Sequence, residues 1–444
     1  MQRTDRLGHP LSGASATAAQ AFDDALHAFQ CYIGDPIAAI GGALDDSPSF
    51  VMGHVLKAYL HLLGTEAAAL PVARAALEGA RRLPANARER AHLAAVGHLV
   101  DGAWHAAGRV LEDIAIDHPR DALALQAGHL VDFYTGASRM LRDRIARALP
   151  AWSPDMPYYH AILGMHAFGL EECGHYARAE ATGRRAVEIE PRNGWAQHAV
   201  AHVMEMEGRQ RDGIAWMCAN PEAWSHESFF AVHNWWHVAL FHLDLDETDA
   251  ALALFDGPVY GARSQVVLDM IDASALLWRL HLRGIDVGAR WQAVAEAWAP
   301  LAADANYAFN DAHAMMAFVG AERREAAGAV LAGLARAETG RGDNARFTRE
   351  VGGPVTRAIH AFGKGEHAEA VRLLRPVRNI AHRFGGSHAQ RDLIDLTLME
   401  AALRDGQRAL AHALAAERID LKPTNPAARA LLRRAAGAAL PLAA

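Results

Sequence analysis

The sequence predicts an all-α protein built as an array of helix hairpins, and three observations carry that reading. Its 444 residues are 51% hydrophobic, rich in Ala and Leu and poor in β-branched runs, which is a helix-forming composition. Short marks of Gly, aromatic, Ala and Pro recur at fixed offsets. No polar/apolar alternation long enough for a strand stands out. A chain of this length exceeds one ordinary core, so it divides into domains or stacks repeats.

In chain order, Pro36 and Pro48 punctuate the N-terminal region, and SPSFVMGHVLKAYLHLLG (47–64) reads as a capped apolar helix. PANARERAHLAAVGHLV starts another, with Pro84 near its first turn. The repeat marks begin in DGAWHAAGRVLEDIAIDHP (101–119), where Gly102, Trp104, Ala107 and Pro119 stand at offsets that return in CGHYARAEATGRRAVEIEP (173–191) as Gly174, Tyr176, Ala179 and Pro191. Gly208 falls 34 residues after Gly174. That is the tetratricopeptide (TPR) period, in which Gly opens the turn and the small Ala lets paired helices approach.

WSPDMPYY (152–159) reads as an ordered loop between these units, and looser copies of the marks follow at 243–256, 364–377 and 404–423. The fold expectation is a TPR-like α-solenoid, a right-handed superhelix of helix hairpins. Residues 1–258 form the N-terminal TPR-like array, and 259–444 continue the same solenoid less regularly. ETGRGDNARFTREVGGP (338–354) is polar and turn-rich, and is expected to be the longest loop.

The formal charge is −7 and no Lys/Arg block occurs, which disfavours a nucleic-acid or anionic-membrane partner. Three widely spaced cysteines suit a reducing compartment without structural disulfides. No signal-peptide h-region and no 18-residue apolar run is present, so the expectation is a soluble, cytoplasmic protein. Oligomeric state is not legible.

Several long motifs resemble the tetratricopeptide repeat protein 38 family: HAVAHVMEMEGRQRDGIAWM, HNWWHVALFH, LDMIDASALLWRLHLRGIDVGARWQ, FNDAHAMMAF and GGSHAQRD. The resemblance runs from GHPLSGAS to KPTNPAARALLRRAA, essentially the whole chain. It implies an all-α TPR-type superhelix and lends no established activity. The positions that match the family pattern are His198, His202, Glu205, His233, His237, Asp269, Asp272, Asn310, Asp311, His313, Gln390, Arg391 and Asp392. His388 departs from it, standing where the pattern has Asn.

Read from the residues themselves, 195–242 is the stretch with chemistry in it. His198/His202 and His233/His237 are i, i+4 pairs in apolar helices, and Glu205 shares a face with the first pair. With 25 histidines in the chain, about one or two such pairs arise by chance, so spacing alone is weak. Recurrence strengthens it. Asp269 and Asp272 sit i, i+3 in VVLDMIDASALLWRL, a helix apolar nearly all round, where two carboxylates need a cation, arginines or donors to persist. Capping of a neighbouring helix is the plainer account of them.

In FNDAHAMMAF, Asn310 or Asp311 reads as an N-cap with His313 turned inward. GGSHAQRD offers first-turn amides and Arg391 as a modest anion site, or a plain cap with an Arg391–Asp392 pair. Trp235 and Trp236, with Trp195, Trp216 and Trp224, form either core or the wall of a ligand pocket.

His, Glu and Asp projecting from facing helices suit Zn, Fe or Mn. The pairs read HAVAH and HNWWH, so no H-E-x-x-H peptidase motif is present, and no GxSxG, P-loop or Rossmann signature appears.

Two functions follow as expectations. One is a His/Asp/Glu pocket for a metal ion or a small polar ligand, with hydrolytic or other acid/base chemistry. In it His198, His202, His233, His237 and His313 are metal ligands, Glu205, Asp269 and Asp272 catalytic acids or ligands, and Trp235, Trp236, Asn310, Asp311 and Arg391 ligand-binding. A purely structural polar network is the bland version of the same cluster. The other is a TPR scaffold that holds a peptide or partner protein in its groove.

Overall fold

A computed structural model describes residues 3–437. Helices joined by turns and loops make up nearly all of them, beside a two-residue antiparallel pairing of β1 (Arg3–Thr4) with β2 (Pro10–Leu11) and an isolated antiparallel bridge of Ile33 with Ser228. The chain forms two compact units, Met1–Val200 with Asn220–Ala231, and Ala201–Ala219 with Val232–Ala444.

The first unit opens with α1 (Ala16–Cys31), capped by the Ser15 hydroxyl, and α2 (Pro36–Asp46), started by Asp35 with Pro at its first position. Next come α3 (Val51–Leu62) and α4 (Leu70–Ala80). Phe50 precedes α3 and no side chain caps it, although the sequence reads as a capped helix. A capping box of Asn86 and Glu89 starts α5 (Ala87–Val100), which pairs with α6 (Trp104–Asp117). Asp121 caps α7 (Ala122–Tyr134), followed by α8 (Ser138–Ala148). The 152–158 loop leads to α9 (Tyr159–Glu171) and α10 (Tyr176–Ile189).

Two layers result. α7 and α9 are buried all round, whereas α8 and α10 bury only one stripe, Leu141, Arg144, Ile145 and Ala148 on the one and Ala179, Gly183 and Ala186 on the other. Inner helices stack on inner helices, α1 on α3, α3 on α5 and α7 on α9. The unit closes on its own start. The Tyr158 hydroxyl donates to the Asp23 carbonyl (3.1 Å), and the Tyr32 ring stacks on Trp195 at 5.5 Å.

One helix, α11 (Gly194–Met206), crosses the division after Val200. Then follow α12 (Gln210–Cys218), α13 (Pro221–Ser225), α14 (Ala231–Asp244) and α15 (Thr248–Leu254). The second unit continues with α16 (Val267–Leu282), α17 (Arg290–Trp298), α18 (Ala308–Gly320) and α19 (Arg324–Glu338). It ends with α20 (Asp343–Phe347), α21 (Gly353–Gly363), α22 (His367–Val377), α23 (His388–Arg404), α24 (Arg408–Leu421) and α25 (Pro426–Ala435).

Its inner helices also form a ring, α16 on α18, α18 on α21, α21 on α23, and α23 back on α16. Trp278 Nε1–H donates to Thr397 Oγ1 (2.9 Å) at that closure. The C-terminal segment ties to the unit's first hairpins, where the Asn425 amide donates to Asp244 (2.5 Å).

The hairpin register runs through both units. Gly102, Gly136 and Gly174 in the first, and Gly208, Asp246, Gly284, Glu322, Gly365 and Gly406 in the second, all have left-handed φ and stand 34 to 43 residues apart. At each, the next N–H returns to a carbonyl in the last turn of the helix, as in Ala103 to His98 (2.8 Å), Arg209 to Met204 (2.8 Å) and Arg323 to Phe318 (2.8 Å). Helices beyond Tyr260 therefore keep the turn geometry although the sequence marks fade.

The segment expected as the longest loop is mostly ordered helix. Only 339–342 are irregular before α20, and 348–352 wind as wide turns into α21. The Gly352–Gly353 pair serves packing there, since a Cβ on Gly352 would stand 2.5 Å from that of Ala308. Among the described residues, no helix is long and apolar enough to cross a membrane.

Candidate metal centre

The histidine pairs lie on α11 and α14, both set by local chemistry. Asn193 starts α11, its side-chain oxygen accepting from the Ala196 N–H (2.9 Å). Gly208 ends it, and Asp246 ends α14 in the same left-handed turn. The i, i+4 spacing then does what it predicts. Within the second unit, one ligand atom from each of His202, His233 and His237 lies within 4.8 Å of the others. His202, His233 and His237 belong to the second unit, and His198 stands one turn before His202 on the continuous helix α11. The rings of His202 and His237 are 4.5 Å apart, and those of His233 and His237 5.0 Å.

Carboxylates orient two of these rings. His233 Nδ1 lies 2.9 and 3.0 Å from the two oxygens of Asp272 on α16, and His237 Nδ1 lies 3.2 Å from Glu205 Oε2 on α11. A carboxylate accepts only, so Nδ1 carries the proton in both, which leaves Nε2 as the nitrogen to ligate a metal. Lys422 approaches the other Glu205 oxygen at 3.8 Å. Trp236, fully buried, stacks on His233 at 5.2 Å and fixes its plane.

Burial holds His202 well below the ordinary imidazole range, with neighbouring His237 adding to the effect. His237 is held down in the same way, by burial first and then by His233. Both are neutral near pH 7, the form in which imidazole ligates a metal.

A second grouping, His27, Cys31 and His160 in the first unit, is just as close-set but chemically different. The Asn193 amide NH₂ donates to His160 Nδ1 (3.1 Å), and its orientation is fixed because its oxygen caps α11. The lone pair of His160 is thus already engaged at Nδ1 and the proton sits on Nε2. Burial also pushes the Cys31 thiol up, away from the thiolate that metals need. Proximity without the right tautomers does not make a ligand set.

The other expected site residues fall at different distances from this centre. His313 is outside the histidine group of the second unit. Its Nδ1–H donates to the Phe309 carbonyl (2.8 Å), leaving a buried Nε2 with no hydrogen-bond partner, and burial lowers its pKa to about 4.

Asp272 is buried, but Asp269 is half-buried in the first turn of α16, where it acts electrostatically on Tyr260. The expected pair of buried carboxylates is therefore one buried carboxylate, compensated by His233. Asn310 and Asp311 are buried in the first turn of α18 and neither is its N-cap, which is Tyr307. Burial raises Asp311 to about 7, with Asp304 adding to it.

Trp235 is half-buried beside the fully buried Trp236. Arg391 donates to the Gly386 carbonyl and lies 3.4 Å from His388, while Asp392 pairs with Arg418 instead. Sequence reasoning passed over Lys422, for which no local pattern exists.

No family model matches the chain. The fold and the side-chain geometry carry the functional reading.

Proposed function

We propose that the second unit binds a divalent transition metal (Zn, Fe or Mn) through His202, His233 and His237, with His198 one turn away. Its proposed role is hydrolysis or another acid/base reaction on a small polar molecule. One observation carries the reading: both oriented imidazoles donate Nδ1–H to a buried carboxylate, the arrangement that fixes a histidine as an Nε2 ligand.

On this reading Glu205 and Asp272 are positioning residues rather than the base, because each is already engaged by a ring N–H. A metal so held supplies a Lewis acid and an acidified bound water. Trp236 and the surrounding apolar helices exclude bulk water. Membership of the tetratricopeptide repeat protein 38 family belongs to the same proposal, supported by the long motifs that resemble it. The alternative of a scaffold with a peptide in an open groove gains no support from the second unit, whose inner helices close into a ring.

Cobalt(II) titration of untagged, chelator-treated protein tests the proposal. Wild type is expected to saturate near one equivalent with visible d–d bands of nitrogen ligation. His202→Ala and His237→Ala should lose the bands at unchanged helical circular dichroism, and His242→Ala, which pairs with Glu247 away from the centre, should keep them. Unchanged cobalt spectra in the first two variants would refute it.

A further inference from the structure

Three arginines are buried in the core: Arg88, Arg144 and Arg279. The first two have carboxylates in direct contact. Arg88 meets Asp121 at 2.7 Å, and Arg144 meets both oxygens of Asp132 at 2.7 and 2.9 Å. Arg279, on α16, has none within 4.0 Å among the described residues. Its partners are the carbonyls of Ala275 (3.3 Å) and Ala389 (2.5 Å) and the face of Trp236, 5.2 Å from the ring centre.

The acids in its wider neighbourhood are committed elsewhere. Asp392 is held bidentately by Arg418, Glu205 by His237 and Lys422, and Asp244 by Asn425. A buried guanidinium without a counter-charge costs several kcal/mol, on the order of what paired burial recovers. Two carbonyls and an aromatic face use part of its five-donor fork and supply no negative counter-charge.

Position gives this charge a use. Arg279 stands two turns along α16 from Asp272, on the same helix face, and shares Trp236 with His233. We propose that Arg279 anchors an oxyanion group, a carboxylate or a phosphate, on the small molecule bound beside the histidine centre. This rests on the reading of that interior as a ligand site, and it names the substrate class as anionic. The buried, partnerless Nε2 of His313 is an acceptor within electrostatic reach of the same guanidinium, suited to a hydroxyl or amine on the ligand.

The test is calorimetric titration of the full chain with inorganic phosphate and with malonate, at constant ionic strength in chloride, before and after zinc loading. Saturable one-to-one binding to wild type is expected, weakened at least tenfold in Arg279→Met and partly kept in Arg279→Lys. Whichever anion binds more tightly identifies the source. Should Arg279→Met fail to fold, Arg279→Lys carries the comparison, since it keeps the charge and loses the fork.

No saturable binding of either anion to wild type, or equal affinity in wild type and variants, overturns the proposal. Zinc is titrated separately on every protein. Zinc binding without anion binding sinks the anchor and leaves the metal reading, and anion binding without zinc does the reverse.

Discussion

Asp272→Asn removes one charge and almost no volume, which makes it a sharp probe of what the buried carboxylates are for. In the wild type both oxygens of Asp272 lie within 3.0 Å of His233 Nδ1, and the carboxylate is 2% exposed. The amide oxygen of Asn still accepts that N–H, so the ring keeps its place, but the charge that makes Nε2 a stronger donor is gone. Outer-shell changes of this kind cost roughly 10–100-fold in metal affinity, or about 1.4–2.7 kcal/mol.

Stability should move by less than about 1 kcal/mol, because the neutral pair remains hydrogen-bonded. Competition against a chromophoric zinc chelator reads the affinity, and urea unfolding of the metal-free protein reads the stability. If affinity is unchanged while stability falls by several kcal/mol, the carboxylate is structural and the reasoning fails.

Other consequences are independent of the metal. Glu322 is exposed and holds φ +57° at a hairpin turn where Gly stands in most repeats, so Glu322→Gly should stabilise by about 0.5–1 kcal/mol, seen as a raised urea midpoint. Gly169→Ala should do the opposite, by about 1–3 kcal/mol, because its Cβ would stand 2.5 Å from the Leu141 backbone and push α9 off α8. Stability should also fall with acid.

Burial lowers His129 and His160 to about 3 and His166 and His313 to about 4, so the unfolded chain takes up protons below its imidazole pKa of about 6.5 while the folded one does not. Asp23 and Asp311, raised to about 6 and about 7, are protonated in the folded state and offset half of this. Over these six groups about two excess protons remain on the unfolded chain near pH 5, a loss of roughly 3 kcal/mol per pH unit, and His202 and His237, held well below the imidazole range by burial, add to it in the metal-free protein. Equal urea midpoints at pH 7 and pH 5 would contradict it.

Helix content and the first hairpins were legible because their signals are local: a Gly at the turn, an Ala at the close approach, a Pro after the helix. The register is hard to follow around and beyond Tyr260 because Asp246, just before it, and Glu322, after it, occupy the left-handed position without glycine, so geometry persisted where the residue mark did not. The segment 338–354 misled for the reverse reason. Its Gly352 serves close contact with Ala308, and its polar residues share a short helix with the buried Ala345 and Phe347.

At the centre, i, i+4 spacing placed the histidines on two helix faces, but their meeting with Asp272 and Glu205 depends on packing 32 to 39 residues away in sequence. Asp269 looked equivalent to Asp272 by periodicity, yet it is only half-buried, in the first turn of α16. The closure of α23 on α16 is longer-range still, and no spacing rule encodes it.

The most direct test of the central claim is the metal content of untagged protein, purified without chelators and measured by inductively coupled plasma mass spectrometry, then remeasured after stripping and reloading. The account predicts close to one equivalent of a transition metal per chain, restored on reloading and absent from a His202→Ala, His237→Ala double variant that retains its helical signal. Less than one-tenth of an equivalent, roughly the level of adventitious carry-over, with no rebinding after reloading, would contradict it.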